Sequence, residues 1–478
     1  MQDSTRKTLS RPKSSPTAKR TTAPKNSAAP RPELPVLPVL PATSETLALK
    51  NDTLAFSLLG AAYAVSYVLD GVALPQALSR VFTQLDAPPQ ARGAIQDIAY
   101  RSMRQVGRAD ALIKLMTSKA PEPALLYSLL CCALSLLLVD TEHAPYDDFV
   151  VVDQAVNAAS ASPHMVFAKG MVNAVLRRYL REKTQLLPVA LKQVAAQWNY
   201  PQWWVDQCKS AYPEHWQAIL NTGNLPPPMT LRVNQRQISV QDYLAQLAEQ
   251  GIEAHQIGPY AVCLVKPRPV AQVPGFAEGL VSVQDRAAQL AAQILDVQEG
   301  MSVLDACAAP GGKTGHILEI ANVDLLAIDI DAKRLDKIHE NLARLKLFAQ
   351  IQEGDASRTR WWKQQMFDRI VADVPCTASG VVRRHPDIRW LRRKTDAAQL
   401  AATSARILDN LWRMLKPGGK LLFATCSIWP IESELQAQAF AERNQALRLP
   451  APGQLLPSSE IHNEQDGLFY ALFQKPEA

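Results

Sequence analysis

Two cysteines follow runs that read as β-strands. Cys376 closes Asp373-Val-Pro-Cys376 after the run Phe367–Ala372, and Cys426 sits in Ala424-Thr-Cys426-Ser427 after Lys420–Thr425. In doubly wound sheets, ligands bind outside the carboxyl ends of the strands. If the two strands are neighbours, both thiols face one crevice, and such a pair has a chemical use. Cytosine C5 is too weak a nucleophile to take a methyl group directly. A thiolate adding at C6 converts the ring into an enamine, and C5 can then attack. Protonation at N3 stabilises the adduct, a task for a carboxylic acid such as Asp373. The reaction needs a cysteine of depressed pKa and a base drawn out of its stack. One cysteine is commonly a small buried hydrophobe. Two, with an acid three residues before the first, point to chemistry; spacing leaves open which one attacks.

A second constellation precedes them. The strand-like run Ser302–Cys307 leads into Asp305-Ala-Cys-Ala-Ala-Pro-Gly-Gly-Lys-Thr314. Small residues and paired glycines let a ligand approach the backbone, and the next helix offers free N–H groups. Gly312-Lys313-Thr314 imitates the end of a P-loop, but the glycine required five residues before Gly312 is Cys307. The dinucleotide pattern GxGxxG is also absent. Asp329 ends the next strand-like run, where an acid accepts hydrogen bonds from ribose hydroxyls. Asp355, after the third, is placed to reach an adenine amino group, whereas Asp331 reads as a helix cap. A ligand with adenosine and no pyrophosphate fits the set: S-adenosylmethionine. Enzymes that methylate exocyclic amines resemble one another in an Asp/Asn-Pro-Pro-aromatic loop. Asp373-Val-Pro-Cys376 has no aromatic, which favours carbon as the methyl acceptor.

These residues need a scaffold. From 284 onward, strand-like runs (302–307, 325–329, 349–352, 367–372, 420–425) alternate with helical patterns near 313–321, 332–346 and 395–415. That alternation predicts a doubly wound parallel sheet, with Leu468–Gln474 as one further strand. Residues 46–190 repeat apolar positions at helical spacing, as in Leu54, Leu58, Leu59, Ala62 and Val65, and predict an all-α domain. Residues 191–280 read as a small α/β module, with a strand in Met-Thr-Leu-Arg-Val-Asn234 and a helix near Val240–Gln250 ended by Gly251. Residues 281–478 form the catalytic domain. Residues 1–45, rich in Pro, Ser, Thr, Lys and Arg, are expected to be a disordered tail.

Composition narrows the function classes. The formal net charge of +6 comes from that tail, which carries eight Lys and Arg within residues 1–32 against Asp3. The body is near neutral and must hold nucleic acid through local patches. Seven cysteines with no CxxC pair suggest neither a zinc ribbon nor a disulfide framework. The histidines show no ligand spacing, so no metal is expected. The run Ala124–Val139 is too short and too polar for a membrane span. A cytoplasmic monomer with reduced thiols is expected.

Together these motifs resemble the NOL1/NOP2/Sun family of RNA cytosine-5 methyltransferases. Asp305–Thr314, Asp373–Cys376 and Thr425–Ser427 carry the resemblance. Val152-Asp-Gln-Ala-Val-Asn157 and Lys169–Arg177 resemble a NusB-like RNA-binding domain. The resemblance implies a NusB-like all-α domain, a small α/β module and a Rossmann-like class I methyltransferase domain. It implies Cys426 as nucleophile and Cys376 as the residue that assists release. It implies that Cys307, Ala308, Ala309, Pro310, Gly311, Gly312, Lys313, Asp329, Asp355 and Asp373 line the cofactor pocket. The NusB-like combination implies small-subunit (16S) ribosomal RNA as substrate; transfer RNA and a non-catalytic assembly role are the alternatives. One departure is Val374-Pro-Cys-Thr377, where the family has Ala-Pro-Cys-Ser.

For holding RNA, the strongest basic run is Arg383-Arg384-His-Pro-Asp-Ile-Arg389-Trp390-Leu-Arg392-Arg393-Lys394. Arginines grip phosphates bidentately and a tryptophan stacks on bases. Arg383, Arg384, Arg389, Trp390, Arg392 and Arg393 are therefore expected RNA contacts. Arg177, Arg178 and Arg181 read equally well as a solvated helix face.

Overall fold

The computed structural model describes residues 49–139 and 144–477. The expected tail, 1–45, lies outside the described residues. Six helices come first: Leu54–Leu69, Leu74–Gln84, Pro89–Met116, Ala124–Leu137, Asp148–Ala161 and Lys169–Ala190. Helix Ala124–Leu137 is apolar on all sides, so it takes the centre of this group and buries twelve of its fourteen residues. Cys131 and Cys132 lie in that core. Of its buried serines, Ser135 has its Oγ 3.1 Å from Ser102 Oγ, whereas Ser128 Oγ has no hydrogen-bond partner among the described residues. Among the described residues, no helix is long and apolar enough to cross a membrane.

Three short helices follow, Val194–Trp198, Gln202–Ala211 and Trp216–Asn224. Their aromatic residues pack towards the end of the chain, with Trp204 edge-on to Trp429 at 5.1 Å between centroids. A four-stranded antiparallel sheet comes next, built from β1 (Met229–Val233), β2 (Ala254–Gln256), β3 (Ala261–Leu264) and β4 (Val281–Val283) in the order β2-β3-β1-β4. Its helix Val240–Glu249 starts at Ser239, whose Oγ accepts from Asp242 N–H at 3.0 Å. It stops before Gly251, which supplies the left-handed φ of 68°.

The large sheet has seven strands: β5 (Ser302–Ala306), β6 (Asp324–Asp329), β7 (Gln350–Glu353), β8 (Phe367–Asp373), β9 (Leu415–Thr425), β10 (Leu447–Leu455) and β11 (Leu468–Gln474). Their order is β10-β11-β9-β8-β5-β6-β7. Strands β5 to β9 are mutually parallel where they pair, and β11 runs antiparallel between β9 and β10. From β5 the chain builds outward through β6 and β7, then crosses to β8 on the other side. The order therefore reverses between β5 and β8, and the crevice opens at their carboxyl ends. The fold is thus a helical N-terminal region, a small α/β module and a Rossmann-like α/β sheet.

The sequence pattern missed β10 and the helices Arg286–Leu295 and Glu434–Asn444. Pro450, Pro452 and Gly453 hide β10. They are tolerated because it is an edge strand, with β11 as its one neighbour and a register break between Leu449 and Gly453. The small sheet is tied to the large one by a buried ion pair. Arg232 on β1 holds Glu319 through two hydrogen bonds of 2.8 and 2.7 Å, and also donates to the Gly312 carbonyl at 2.9 Å.

Candidate active site

Strand β5 ends at Ala306 and the backbone turns at once. Cys307 adopts φ 61° and Gly311 φ 93°, after which helix Gly312–Ile320 begins. Gly311 lies against Ile338, close enough that a side chain would crowd it. Asp305 is fully buried and accepts from Thr314 Oγ1 at 2.6 Å, bracing the turn from beneath. Burial pushes its carboxyl up to about 7, and its Oδ1 has no hydrogen-bond partner among the described residues. Asp329, at the end of β6, accepts from Ala309 N–H at 3.1 Å and Asp331 N–H at 3.1 Å. The carbonyl of Asp329 accepts from Gly354 N–H at 2.9 Å, which brings Asp355 alongside. Asp355 lines an open cleft of about 680 Å³ with Ile330, Glu353, Gly354, Arg358 and Trp361.

On the other side of the switch point, Asp373 ends β8 and accepts from Lys313 Nζ at 2.5 Å. Burial works against charge on Lys313. Asp373, with help from Tyr470 and Asp305, outweighs it, and the amine is held above its ordinary range. The residues expected to form the cofactor pocket, Cys307 to Lys313 with Asp329, Asp355 and Asp373, thus all lie at the carboxyl ends of β5 to β8. Cys307 stays a thiol, because burial and then the acids around it push its pKa up.

Strands β8 and β9 are neighbours, with Asp373 opposite Ala424. This brings Cys376 Sγ to 3.3 Å from Cys426 Sγ. Both thiols are half-buried. At that separation either thiol can donate a hydrogen bond to the other. The contact with Cys426 lowers Cys376 against the effect of burial. The same contact, and then burial, hold Cys426 well above the ordinary thiol range.

Glu432 is a residue that the sequence reading passed over. It is buried, with Oε1 accepting from Thr377 N–H at 2.8 Å and Oε2 accepting from Thr377 Oγ1 at 2.5 Å and Ser427 Oγ at 2.6 Å. One carboxylate thereby clamps the residue after each cysteine, which fixes the two loops relative to each other. A glutamate six residues past Cys426 carries no signal of this by itself. Ile330 was also passed over. It directly follows Asp329 and is two-thirds exposed beside the cleft. An exposed isoleucine at a strand's carboxyl end was the available signal.

The basic run 383–394 behaves differently from expectation. Arg389 has no exposed surface. Its guanidinium lies 3.9 Å from the Tyr200 ring centre, donates to the carbonyls of Gly223 at 2.6 Å and Asn199 at 3.2 Å, and also reaches Asn224 Oδ1. Trp390 packs on the helical core and donates to the Met103 carbonyl at 2.9 Å. Arg383 is buried and donates to the carbonyls of Pro226 and Ser458. Arg384 pairs with Asp285 at 2.9 Å and with Asp466. Arg392 donates to the Thr377 carbonyl at 3.0 Å. These side chains join the helical region, the aromatic cluster and the sheet, so most of their polar atoms are already committed, although Arg389 Nε has no partner among the described residues. Within the expected set, Arg393 keeps an exposed side chain, 71% accessible, with one contact of 3.3 Å to Asp396 within its own turn.

A direct check follows. Arg389→Ala leaves a cavity and orphans three acceptors, and is expected to destabilise the chain by about 3–5 kcal/mol. Arg393→Ala is expected to stay within about 0.5 kcal/mol. Denaturant midpoints distinguish the two; equal midpoints would contradict the buried role of Arg389.

The family described as 16S rRNA methyltransferase RsmB/F matches residues 292–474, and its ferredoxin-like domain matches 200–271. A ribosomal RNA small subunit methyltransferase B from Vibrio cholerae is 41% identical over 428 residues, covering 87% of this chain and 96% of the relative. The chain belongs to the RsmB/F methyltransferase family. A second relative of that description, from Pasteurella multocida, is 41% identical over 82% of this chain and 90% of its own length. The crystal structure of the protein PH0851 shares the fold, with a TM-score of 0.72 at 23% identity, covering 88% of this chain and 99% of that one. Membership makes the chain a methyltransferase, as the strand ends anticipated. The two cysteine loops and the glycine turn all fall inside the matched residues 292–474.

Proposed function

We propose that the protein methylates C5 of a cytosine in small-subunit ribosomal RNA, using S-adenosylmethionine and a covalent bond between Cys426 and C6. The observation that carries this reading is the 3.3 Å thiol pair at the carboxyl ends of β8 and β9, beside the Lys313–Asp373 ion pair. The relatives' descriptions as ribosomal RNA small subunit methyltransferases support the substrate.

The donor set fits an adenosine ligand. Asp329 and Asp355 stand at the ends of adjacent strands as acceptors for ribose and adenine, with Ile330 as the apolar contact for the base. Bound there, the cofactor supplies an electrophilic methyl sulfonium. The chain's own residues do the rest. Cys426 adds to C6 of an unstacked cytosine while its proton passes to the Cys376 thiolate 3.3 Å away. Asp373 delivers a proton to N3, with the Lys313 ammonium behind it as reservoir. C5, now an enamine carbon, takes the methyl group. A base removes the C5 proton, the C6–S bond breaks as N3 returns its proton through Asp373 to Lys313, and the departing Cys426 sulfur regains its proton from Cys376.

The test is methyl transfer from labelled cofactor to small subunits taken from cells lacking the gene. A single new 5-methylcytidine located by bisulfite sequencing is the expected product. Transfer to transfer RNA alone, or methylation at nitrogen, would overturn the assignment.

A further inference from the structure

A second cluster lies outside the crevice. His255 on β2 and Cys263 on β3 are direct cross-strand partners. Glu464 reaches them from the loop ahead of β11. One ligand atom from each lies within 4.8 Å of the others, with Cys263 buried and the other two half-buried. The three come from distant parts of the chain. Linear spacing, the basis for expecting no metal, does not reveal them.

Two of the three point unpaired atoms inward. His255 Nε2 and Glu464 Oε2 are cut off from solvent and have no hydrogen-bond partner among the described residues. Buried polar atoms are rarely left so, because each has lost its water. A further donor stands close by. The His462 ring is edge-on to His255, with centroids 4.6 Å apart, and its backbone is held at φ 68°. Imidazole, thiolate and carboxylate in one pocket are the donor set of zinc, whose bonds run about 2.3 Å to sulfur and about 2.0–2.2 Å to nitrogen and oxygen. Magnesium and calcium prefer all-oxygen shells.

We propose that His255, Cys263 and Glu464 bind a divalent ion of the zinc class, with His462 as the fourth ligand. Tetrahedral bonds of that length put ligand atoms about 3.5 Å apart, so the three clustered atoms close by roughly an ångström on binding and the exposed His462 side chain swings in to complete the shell. Cys263 ligates as thiolate and its proton goes to solvent; no electron changes hands. Burial, with Glu464 next, pushes the free thiol up to about 11, so the ion displaces a proton at neutral pH.

The consequence is mechanical. The Glu464 loop runs on to Gly467, whose N–H donates to the Gly380 carbonyl at 2.9 Å, and Gly380 N–H donates to the Cys426 carbonyl at 2.8 Å. An ion at this cluster pins the small sheet to the loop that seats the Cys426 turn. Four protein ligands make it a closed, structural site.

The experiment uses the full-length chain carrying Cys376→Ser and Cys426→Ser, which removes the other thiol pair as a rival ligand. Zinc is titrated in competition with a chromogenic chelator, and cobalt(II) is added as an optical probe. One zinc per chain, a cobalt–thiolate charge-transfer band and a zinc-dependent rise in melting temperature are expected. Glu464→Gln and His255→Ala are each expected to weaken zinc binding at least about 100-fold, and Cys263→Ser to abolish the cobalt band. Melting of each variant without metal shows that it is folded. Absence of bound zinc, or affinity unchanged by both Glu464→Gln and His255→Ala, overturns the proposal.

Discussion

Cys426→Ala is expected to abolish methyl transfer and leave the fold intact. The residue is half-buried at the end of β9 and packs at the margin of the core, so losing one sulfur atom costs about 1 kcal/mol. The chemical loss is of another order. Without a nucleophile C5 never becomes an enamine carbon, and removing an obligatory nucleophile costs on the order of 10⁶-fold in turnover. Labelled methyl transfer and denaturing gels of protein mixed with RNA measure both consequences. Activity within about tenfold of the parent would exclude Cys426 as the attacking group. Charge and ancestry pull in opposite directions here. The contact between the thiols lowers Cys376 and raises Cys426, whereas the family motif assigns attack to Cys426. The alanine variant separates the two.

Cys376→Ala is expected to trap the enzyme on its RNA. The contact with Cys376 is the largest influence holding Cys426 up, and removing it leaves burial and then Asp373 to oppose ionisation, with Lys313 favouring it. Attack therefore persists. Release does not, because the S–H group 3.3 Å from the departing sulfur is gone. Loss of a positioned acid lowers turnover by on the order of 10²–10⁴-fold. A slow-migrating, nuclease-sensitive band on denaturing gels is the signature, and Cys376→Ala combined with Cys426→Ala should erase it. If Cys376→Ala turns over freely with no adduct, Cys376 has no part in release. An adduct that forms in Cys426→Ala instead would reverse the two roles.

The crevice was legible because its residues lie within a few positions of strand ends. Asp329, Asp355, Asp373, Cys376 and Cys426 all follow runs whose β character shows in the sequence, and a parallel sheet gathers such ends on one edge. What stayed hidden depends on contacts between distant segments. Glu432 matters because Thr377 and Ser427 meet over it, and no local pattern marks that meeting. Strand β10 was hidden by prolines that an interior strand would exclude. The arginines of 383–393 misled for a related reason. A basic run is ordinarily solvated, and here the carbonyls of Gly223, Asn199, Pro226 and Ser458 take the place of water. Burial of a charge is decided by what arrives from elsewhere in the chain.

The seam made by Arg383 to Trp390 has a further consequence. Trp390 rests on Met103, Arg104 donates to the Arg383 carbonyl at 3.0 Å, and Asp387 accepts from Leu74 N–H at 2.9 Å. A catalytic fragment made without the first six helices would carry a bare indole and stripped polar groups on its flank. Such a fragment should be sticky alone and should be rescued by co-expressing the missing half, as two pieces of a keyed joint find each other.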